Sequence, residues 1–343
     1  MPTEVLGWVQ HMQFNGLKRR EFITLLGGAA LWWPQKAPAQ QPALPVIGFL
    51  NSASATPFER FVESFRRSLT ETGFVEGQNV TIEFRWAEGQ YDRLPALAAD
   101  LVRRRVDVIV ATGGPASGQA AKAATTTIPI VFISGADPVK EGLVASLNRP
   151  GGNATGVNVL LSAMEGKRLG LLREMVPNAA LIAVVLNPAM PTFDGQVNDV
   201  QAAAHSVGQR LHILRASNDG EIDAAFATAA QLQAGALLVG ADPFLFTRRE
   251  RLLGLASRYA IPVIYELREY AVAGGMMSYG ISLAEAYRLV GVYTGRILKG
   301  DKPAELPVQQ LTKFEFVINL KTAKALGIEV PPGLSARADE VIG

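Results

Sequence analysis

Short β-rich runs alternate with segments of helical periodicity along most of this chain, and they do so in two successive sets. The runs of the first set are residues 46–50, 81–86, 106–111 and 128–133. Those of the second set are residues 182–186, 211–215, 236–239 and 261–265. Between the runs, apolar residues recur at intervals of three and four, which is typical of amphipathic helices. A strand–helix–strand–helix order predicts an α/β fold with parallel sheets.

The two sets also resemble each other in sequence. Residues 46–53 align with residues 182–189, and residues 128–132 align with residues 261–265, at offsets of 136 and 133 positions. Because a single core rarely grows beyond about 250–300 residues, a chain of 343 residues also favours two domains. The sequence therefore predicts two similar, Rossmann-like lobes.

A further strand and helix follow the second set and indicate that the chain crosses back to the first lobe. We expect lobe 1 to comprise residues 40–158 plus 278–305, and lobe 2 to comprise residues 159–277 plus 306–343. Several crossings between two rigid lobes form a multi-strand hinge, which allows the lobes to close on a ligand.

The first 39 residues are typical of an export signal. Lys18-Arg19-Arg20 precede an apolar run from Phe22 to Trp33, and Ala37-Pro38-Ala39 supplies small residues before a cleavage site. The run is too short to span a bilayer core of about 30 Å. The pair Arg19-Arg20 makes the signal twin-arginine-like, although general secretory export and a start at Met12 instead of Met1 stay open. A buried or amphipathic helix is the alternative interpretation. We expect cleavage after Ala39, a periplasmic protein and no membrane span in the mature chain.

Composition argues against several classes of function. Loss of the signal removes four basic and two acidic residues, so the 33 basic and 31 acidic residues of the chain become 29 of each. A neutral mature chain lacks the basic footprint of a nucleic-acid-binding protein. The chain has no cysteine and three histidines, which excludes thiol chemistry and argues against a metal site. No phosphate-binding glycine loop or nucleophile elbow is present. We therefore expect no cofactor, no metal and no catalytic residue.

Ligands of open parallel sheets bind beyond the carboxyl ends of the strands. In this chain those loops carry small residues and uncharged polar residues, with a few carboxylates among them. The helix that follows Gly113-Gly114 offers free N–H groups to a ligand carboxylate, and the acidic residues can accept hydrogen bonds from an ammonium. The candidate ligand-binding residues are Asn51, Ser52, Ala53, Thr112, Gly113, Gly114, Ala116, Ser117, Ser134, Gly135, Asp137, Asn187, Asp242, Phe244, Glu266 and Tyr279.

Structural roles are open for several of these candidates. Asp137, Asn187 and Asp242 each precede a proline, and such pairs commonly begin helices, the first residue serving as the cap. Gly113-Gly114 is also compatible with a simple tight turn. Phe244 is equally compatible with a core position, and Tyr279 with packing in the hinge. Glu266 directly follows a buried strand and has no evident capping role.

Several longer runs resemble one family. They are KRREFITLLGGAA at 18–30, EGQNV at 76–80, RWAEG at 85–89, NRPGGNATG at 148–156 and GRILKG at 295–300. The chain resembles, from Lys18 to Ile342, the ABC-transporter substrate-binding proteins described as tryptophan- or tyrosine-transport-like. That resemblance implies the type I periplasmic-binding-protein fold, and ligand contacts on the strand-end loops given above. It also implies delivery of a small solute to a membrane permease with a cytoplasmic ATPase.

The expected function is thus that of a periplasmic solute-binding subunit of an ABC importer. Its solute is expected to be amino-acid-like or an aromatic carboxylate, and the protein is expected to be a monomer that docks transiently with its permease. A sensory ligand-binding protein of the same fold, feeding a membrane sensor, is the alternative. An exported α/β enzyme is a third possibility.

Overall fold

The computed structural model describes residues 44–161 and 164–343. The export signal expected over residues 1–39 lies outside the described residues. Each apolar run of the two sets forms a strand, and the helices between the strands bury the apolar face that the periodicity predicts. In the first helix, for example, Phe58, Phe61, Phe65 and Leu69 are all buried.

Lobe 1 begins with five strands and three helices. They are β1 (Val46–Asn51), α1 (Ala55–Glu71), β2 (Thr81–Trp86), α2 (Leu94–Arg103), β3 (Val108–Thr112), α3 (Pro115–Ala124), β4 (Ile130–Ser134) and β5 (Ala154–Asn158). A short 3-10 turn, Tyr91–Arg93, precedes α2.

Lobe 2 repeats the same order of strands. Its elements are α4 (Glu165–Met175), β6 (Leu181–Leu186), α5 (Phe193–Ser206), β7 (Arg210–Arg215), α6 (Asp219–Gln231), β8 (Ala236–Val239), α7 (Pro243–Thr247), α8 (Arg249–Arg258), β9 (Val263–Tyr265), α9 (Arg268–Val272) and β10 (Met277–Ile281).

The remainder of the chain serves both lobes. It forms α10 (Leu283–Leu298), β11 (Gln309–Gln310), β12 (Phe314–Asn319), α11 (Leu320–Ala325), α12 (Pro332–Ser335) and β13 (Glu340–Ile342). The Ser282 hydroxyl accepts a hydrogen bond from the Glu285 N–H at 3.4 Å and caps α10. A polar cap directly after a strand ends that strand and starts the helix within one residue.

The two sheets share one topology. The first has the order β11-β5-β4-β3-β1-β2, and the second has the order β13-β12-β10-β9-β8-β6-β7. Strands β2-β1-β3-β4-β5 therefore correspond to β7-β6-β8-β9-β10, which explains the internal sequence similarity. All pairs are parallel except β10 with β12. The predicted α/β fold of two Rossmann-like lobes is confirmed.

Strand pairing places the lobe boundaries differently from the sequence. Met277–Ile281 pairs with β9 and β12, so this strand belongs to lobe 2, although the expected boundary at 278 assigned most of it to lobe 1. Conversely, Gln309–Gln310 pairs with β5 in lobe 1, although residues from 306 onward were assigned to lobe 2. The chain crosses between lobes three times, after β5, between β10 and α10, and between β11 and β12. Periodicity identifies a strand but carries no information on which sheet it joins.

Helix α10 returns to lobe 1 and packs closely on α1. A Cβ atom at Gly291 would overlap the Ser68 hydroxyl, and one at Gly295 would overlap the Thr72 hydroxyl. These two glycines, four residues apart, lie on one face of the helix and allow the two backbones to approach closely. The close packing of α10 on α1 in lobe 1 therefore requires glycine at positions 291 and 295.

Replacing Gly291 with Ala is expected to lower the free energy of unfolding by about 1–3 kcal/mol, because the added methyl group overpacks the α1–α10 contact. The matched control is Gly254→Ala in α8, where the added Cβ has no neighbour within 4 Å. That control is expected to gain about 0.5–1 kcal/mol from helix propensity. Urea unfolding of both variants measures the difference, and equal effects of the two substitutions would contradict the close-packing argument.

Candidate functional site

A cavity of about 60 Å³ lies between the lobes, at the carboxyl ends of both sheets. Its walls include the loops after β3 and β4 of lobe 1 and the loops after β8 and β9 of lobe 2. This is where ligands of open parallel sheets bind. Since a cavity that holds a benzene molecule measures about 150 Å³, a solute of amino-acid size enters this one only if the lobes separate or the lining side chains move.

The lining is apolar and aromatic, with two acidic side chains. The apolar and aromatic side chains are those of Phe58, Pro115, Ile133, Val159, Leu161, Met190, Ala241, Pro243, Phe246, Leu267, Leu283 and Tyr287. Gly113, Gly114 and Gly135 contribute backbone, and Asp242 and Glu266 contribute carboxyl groups. Five of the candidate residues from the sequence, Gly113, Gly114, Gly135, Asp242 and Glu266, therefore line one cavity.

A buried hydrogen-bond network lies behind the lobe 1 wall. The Asn51 side-chain amide donates to the Thr112 hydroxyl at 2.8 Å and to the Tyr287 hydroxyl at 3.0 Å, while its oxygen accepts from the Ala53 N–H at 2.8 Å. The Ser52 hydroxyl donates to the Gly113 carbonyl. These four candidates, Asn51, Ser52, Ala53 and Thr112, thus lie outside the lining formed by the described residues and instead hold the residues of that wall in place.

Gly113 and Gly114 carry positive φ angles of 77° and 86° at the start of α3. A Cβ at Gly114 would lie 3.0 Å from Met190 Cε and 3.3 Å from Pro243 Cγ, both in lobe 2. The turn is therefore tight, as the simpler interpretation held, and it also allows the lobes to come together. Ala116 and Ser117 follow in the first turn of α3, where both are buried. The Ser117 hydroxyl has no hydrogen-bond partner among the described residues.

The loop after β4 is organised by two acidic residues. The Ser134 hydroxyl donates to Glu141 Oε2 at 2.8 Å, and burial raises the pKa of Glu141 to about 7. Asp137 Oδ1 accepts from the Val139 N–H at 3.0 Å. Asp137 therefore caps a turn and not the helix that an Asp-Pro pair commonly begins, and like Ser134 it lies outside the lining that the described residues form.

Asp242 combines a capping role with a position in the cavity. It caps α7 by accepting from the Leu245 N–H at 2.8 Å, and the Asn187 amide donates to both of its oxygens at 3.2 Å. Across the cleft, the Tyr91 hydroxyl of lobe 1 donates to Asp242 Oδ2 at 2.7 Å. Burial raises the pKa of this carboxyl group. Asn187 thus acts through Asp242 rather than from the cavity wall.

Glu266 is 2 % exposed, and its Oε2 has no hydrogen-bond partner among the described residues. Burial raises its pKa to about 8, and the carboxylates of Glu165 and Asp242 act in the same direction. The guanidinium of Arg168 lowers the pKa but does not offset burial. The carboxyl group is thus largely protonated near neutral pH, and a cation in the cavity would favour its ionised form.

Arg168 and Glu165 form an ion pair beneath this wall, at 2.8 Å, with both side chains fully buried. The Arg168 guanidinium also donates to the carbonyl oxygens of Leu161 at 2.8 Å and Tyr279 at 3.2 Å. Glu165 Oε1 accepts from the Ala241 N–H at 3.1 Å. The pair therefore fixes three segments that surround the cavity.

Two aromatic candidates lie outside the lining formed by the described residues. Phe244 packs beneath the Arg248 guanidinium, at 5.0 Å from ring centroid to Cζ, and against Gly89. Tyr279 stacks on Phe314 across the β10–β12 pair, with ring centroids 5.6 Å apart. Phe244 therefore occupies a core position, and Tyr279 packs against a neighbouring strand, as the structural alternatives for these two residues predicted.

The sequence did not identify most of the aromatic wall. The rings of Phe58 from lobe 1 and Phe246 from lobe 2 meet edge to face at 5.4 Å across the cleft. Phe58 follows the helical period of α1, and that pattern predicts a buried side chain without indicating a cavity. Tyr91 lies in the 3-10 turn before α2, and no sequence motif marked it. Its contact with Asp242 arises only when the two lobes meet.

Two further properties concern the described residues alone. They contain no group of three or more His, Cys, Asp or Glu residues placed to hold a metal ion. None of their helices has both the length and the apolar character required to cross a membrane.

Two α/β lobes around an apolar cavity with few charged groups define a two-lobed solute-binding protein. A family model described as ABC transporter substrate binding protein matches residues 47–342. The chain belongs to this family of substrate-binding proteins.

Its relatives include a tyrosine-binding protein of Clostridioides difficile (strain R20291). That protein is 27% identical over 283 residues, which cover 82% of this chain and 81% of the relative. A crystal structure of an ABC domain from Streptococcus pneumoniae in complex with L-Trp is 25% identical and has a TM-score of 0.78, covering 88% of this chain and 100% of the other. The ligand-free, open structure of a substrate binding protein from Clostridium difficile is also 25% identical, with a TM-score of 0.61 and coverages of 87% and 99%.

The buried Glu266 carboxyl group is expected to make stability depend on pH. The folded protein keeps a proton that the unfolded chain loses near pH 4.5, so the free energy of unfolding falls as the pH rises from about 4.5 to about 8. Glu266→Gln is expected to flatten this slope by up to about 1.4 kcal/mol per pH unit. Urea unfolding at pH 5.5, 6.5 and 7.5 measures the slopes. The exposed Glu305→Gln is the control and should keep the wild-type slope; a Glu266→Gln slope equal to it would refute the argument.

Proposed function

We propose that this chain is the periplasmic solute-binding subunit of an ABC importer and that it captures an amino acid with an aromatic or large apolar side chain. In this proposal, the signal is cleaved after Ala39, and the loaded protein delivers its solute to a permease with a cytoplasmic ATPase. The observation that carries the proposal is the cavity between the lobes, which combines an aromatic, apolar lining with two buried carboxyl groups.

Each part of an amino acid has a complement in this cavity. The side chain packs among apolar and aromatic groups such as Phe58, Phe246 and Met190. The ammonium group lies near Asp242 and Glu266, where hydrogen bonds to a carboxylate are charge-assisted. The carboxylate lies at the start of α3, beside the backbone of Gly113 and Gly114, where helix N–H groups favour anions. The tyrosine-binding relative and the L-Trp complex support this class of solute.

Closure of the lobes is the proposed capture step. Contacts that join the lobes include the Tyr91–Asp242 hydrogen bond, the Arg60–Glu269 ion pair and the Phe58–Phe246 ring contact. These contacts are made only when the lobes are together. The higher TM-score against the L-Trp complex, 0.78, than against the open, ligand-free structure, 0.61, supports the interpretation of this arrangement as the closed state.

The proposed solute class is tested by thermal unfolding of the mature chain, from Gln40 onward, with L-tryptophan, L-tyrosine, L-phenylalanine, L-aspartate and L-lysine. A ligand at a hundred times its dissociation constant stabilises the folded state by about 2.7 kcal/mol, so an aromatic amino acid is expected to raise Tm by several degrees. The aspartate and lysine samples are controls and should leave Tm unchanged. An unchanged Tm with every aromatic amino acid would reject the proposed class.

The role of closure is tested with Tyr91→Phe, which removes the hydrogen bond to Asp242 across the cleft. A neutral donor to a charged acceptor contributes about 1.5–3 kcal/mol, so solute binding is expected to weaken by roughly tenfold or more. The radius of gyration in solution scattering should rise towards that of the open state.

The matched control is Tyr293→Phe, whose hydroxyl donates to the Pro307 carbonyl at 2.7 Å within lobe 1. This variant should leave affinity and radius of gyration unchanged. Equal effects of the two substitutions on affinity would contradict a role for Tyr91 in closure.

A further inference from the structure

We propose that the ammonium group, and not the carboxylate, is the indispensable group of the solute, so that the site also accepts primary arylalkylamines that have no carboxylate. This inference rests on the proposed function and narrows it. It follows from how charge is distributed around the cavity.

Among the described residues, the lining of the cavity has two carboxyl groups and no positively charged side chain. Among the described residues that line it, the charged side chains are Asp242 and Glu266, which are 4 % and 2 % exposed. Buried carboxylates need a positive partner, because desolvation penalises the unpaired charged form. The wall therefore favours a cationic group on the solute, which allows a carboxyl group to ionise, and its described residues offer no positive side chain to an anionic group.

The buried cation that acts on Glu266, Arg168, is already paired with another carboxylate. Arg168 is fully buried; its Nε donates to Glu165 Oε2 at 3.1 Å, and its Nη2 lies 2.8 Å from Glu165 Oε1 in an ion pair. Its remaining hydrogen bonds go to the carbonyl oxygens of Leu161 and Tyr279. Glu165 neutralises Arg168, two backbone carbonyl oxygens accept further hydrogen bonds from it, and its side chain lies outside the lining formed by the described residues, so Arg168 is a poor partner for a solute carboxylate.

Two other arginines near the cleft also lie outside the lining that the described residues form. Arg60 pairs with Glu269, and the Arg249 guanidinium lies 5.1 Å from the centroid of the Phe246 ring. Both border a separate hollow on the surface. The aromatic ring of Phe246 thus separates Arg249 from the cavity.

The two carboxyl groups of the lining differ in the number of hydrogen-bond donors that the described residues supply to them. Asp242 receives hydrogen bonds from Tyr91, Asn187 and the Leu245 N–H. Glu266 Oε2, in contrast, has no hydrogen-bond partner among the described residues and is buried in the wall. An ammonium group carries three N–H donors and a positive charge. One N–H can donate to Glu266 Oε2, and the positive charge favours the ionised form of the carboxyl group. Glu266 is therefore the expected principal contact of the solute.

The complement offered to a solute carboxylate is weaker. It consists of the start of α3, where a helix presents roughly half a unit charge. Its first residue, Pro115, has no N–H, so the free donors begin one residue further along the helix. A solute carboxylate also lies in the field of Asp242 and Glu266. Removing the carboxylate from an amino acid is thus expected to reduce affinity much less than removing its ammonium group.

The test is isothermal titration of the mature chain at pH 8 with matched sets of compounds. Each set has one aromatic group: L-tryptophan, tryptamine and indole-3-propionate; L-tyrosine, tyramine and 3-(4-hydroxyphenyl)propionate; and L-phenylalanine, phenethylamine and 3-phenylpropionate. The amine keeps the ammonium group and is expected to bind within about tenfold of its amino acid. A charge-assisted hydrogen bond contributes about tenfold to a hundredfold or more in affinity, and the acid cannot form it. The acid is expected to bind about a hundredfold more weakly than the amine.

The outcomes separate this inference from the proposed function. If the amino acid binds and the acid binds as well as the amine, or the amine does not bind, the ammonium inference is wrong and the proposed function stands. If none of the compounds binds, both are wrong. If the amine binds and the acid does not, both are supported.

A charge-neutral variant identifies the residue. Glu266→Gln is expected to weaken amine binding by about thirtyfold and leave the weak binding of the acid unchanged or stronger, because the negative charge is removed while the shape is kept. Glu305→Gln, at an exposed position, is the control and should bind like the wild type. Equal loss of amine and acid affinity in Glu266→Gln would overturn the assignment of the ammonium contact to this residue.

Discussion

The buried Arg168–Glu165 ion pair is the interaction on which the site depends. Its partners belong to three separate segments: the Leu161 carbonyl in the first crossing, the Tyr279 carbonyl of β10 before the second crossing, and the Ala241 N–H beside Asp242. Removing one member of a buried pair costs about 3–5 kcal/mol, because the other charge stays buried without a partner. The pair therefore joins the hinge to the cavity wall, and any rearrangement of the crossings is transmitted to that wall.

The same pair determines the electrostatics of the cavity. Glu165 neutralises Arg168, and the guanidinium does not offset the effect of burial on Glu266, so Asp242 and Glu266 have neutral hydrogen-bond donors or none among the described residues. Asp242 obtains its donors partly from the other lobe, through Tyr91. Glu266 instead remains protonated near neutral pH, with its pKa raised to about 8. The Glu266 carboxyl group is therefore neutral near pH 7 and ionises when a cation is placed beside it, which lowers the cost of burying this group.

Much of the fold follows from local pattern. The strands 46–50 and 182–186 and their partners were predicted because a buried parallel strand is a short apolar run, and the strand-end loops then followed from topology. Residues 278–281 and Gln309–Gln310 were assigned to the wrong lobes, since pairing between strands distant in sequence leaves no local trace. In the site, Gly113, Gly114, Gly135, Asp242 and Glu266 were predicted to lie near the ligand and do line the cavity. Phe58 and Phe246 were missed as cavity residues because an aromatic residue on a helix period has the same pattern whether it faces a core or a cleft.

The sequence by itself determined the two-lobed α/β architecture, the loops that border the cleft and the family. Those properties depend on periodicity and on runs of neighbouring residues, which a chain carries in one dimension. Only the tertiary structure decided that the Arg168–Glu165 pair is buried against Tyr279 and Ala241, that Tyr91 reaches Asp242 across the cleft and that Glu266 keeps an oxygen without a partner among the described residues. These are contacts between segments separated by many residues, and the burial that raises a pKa or strengthens a hydrogen bond exists only once those segments have packed together.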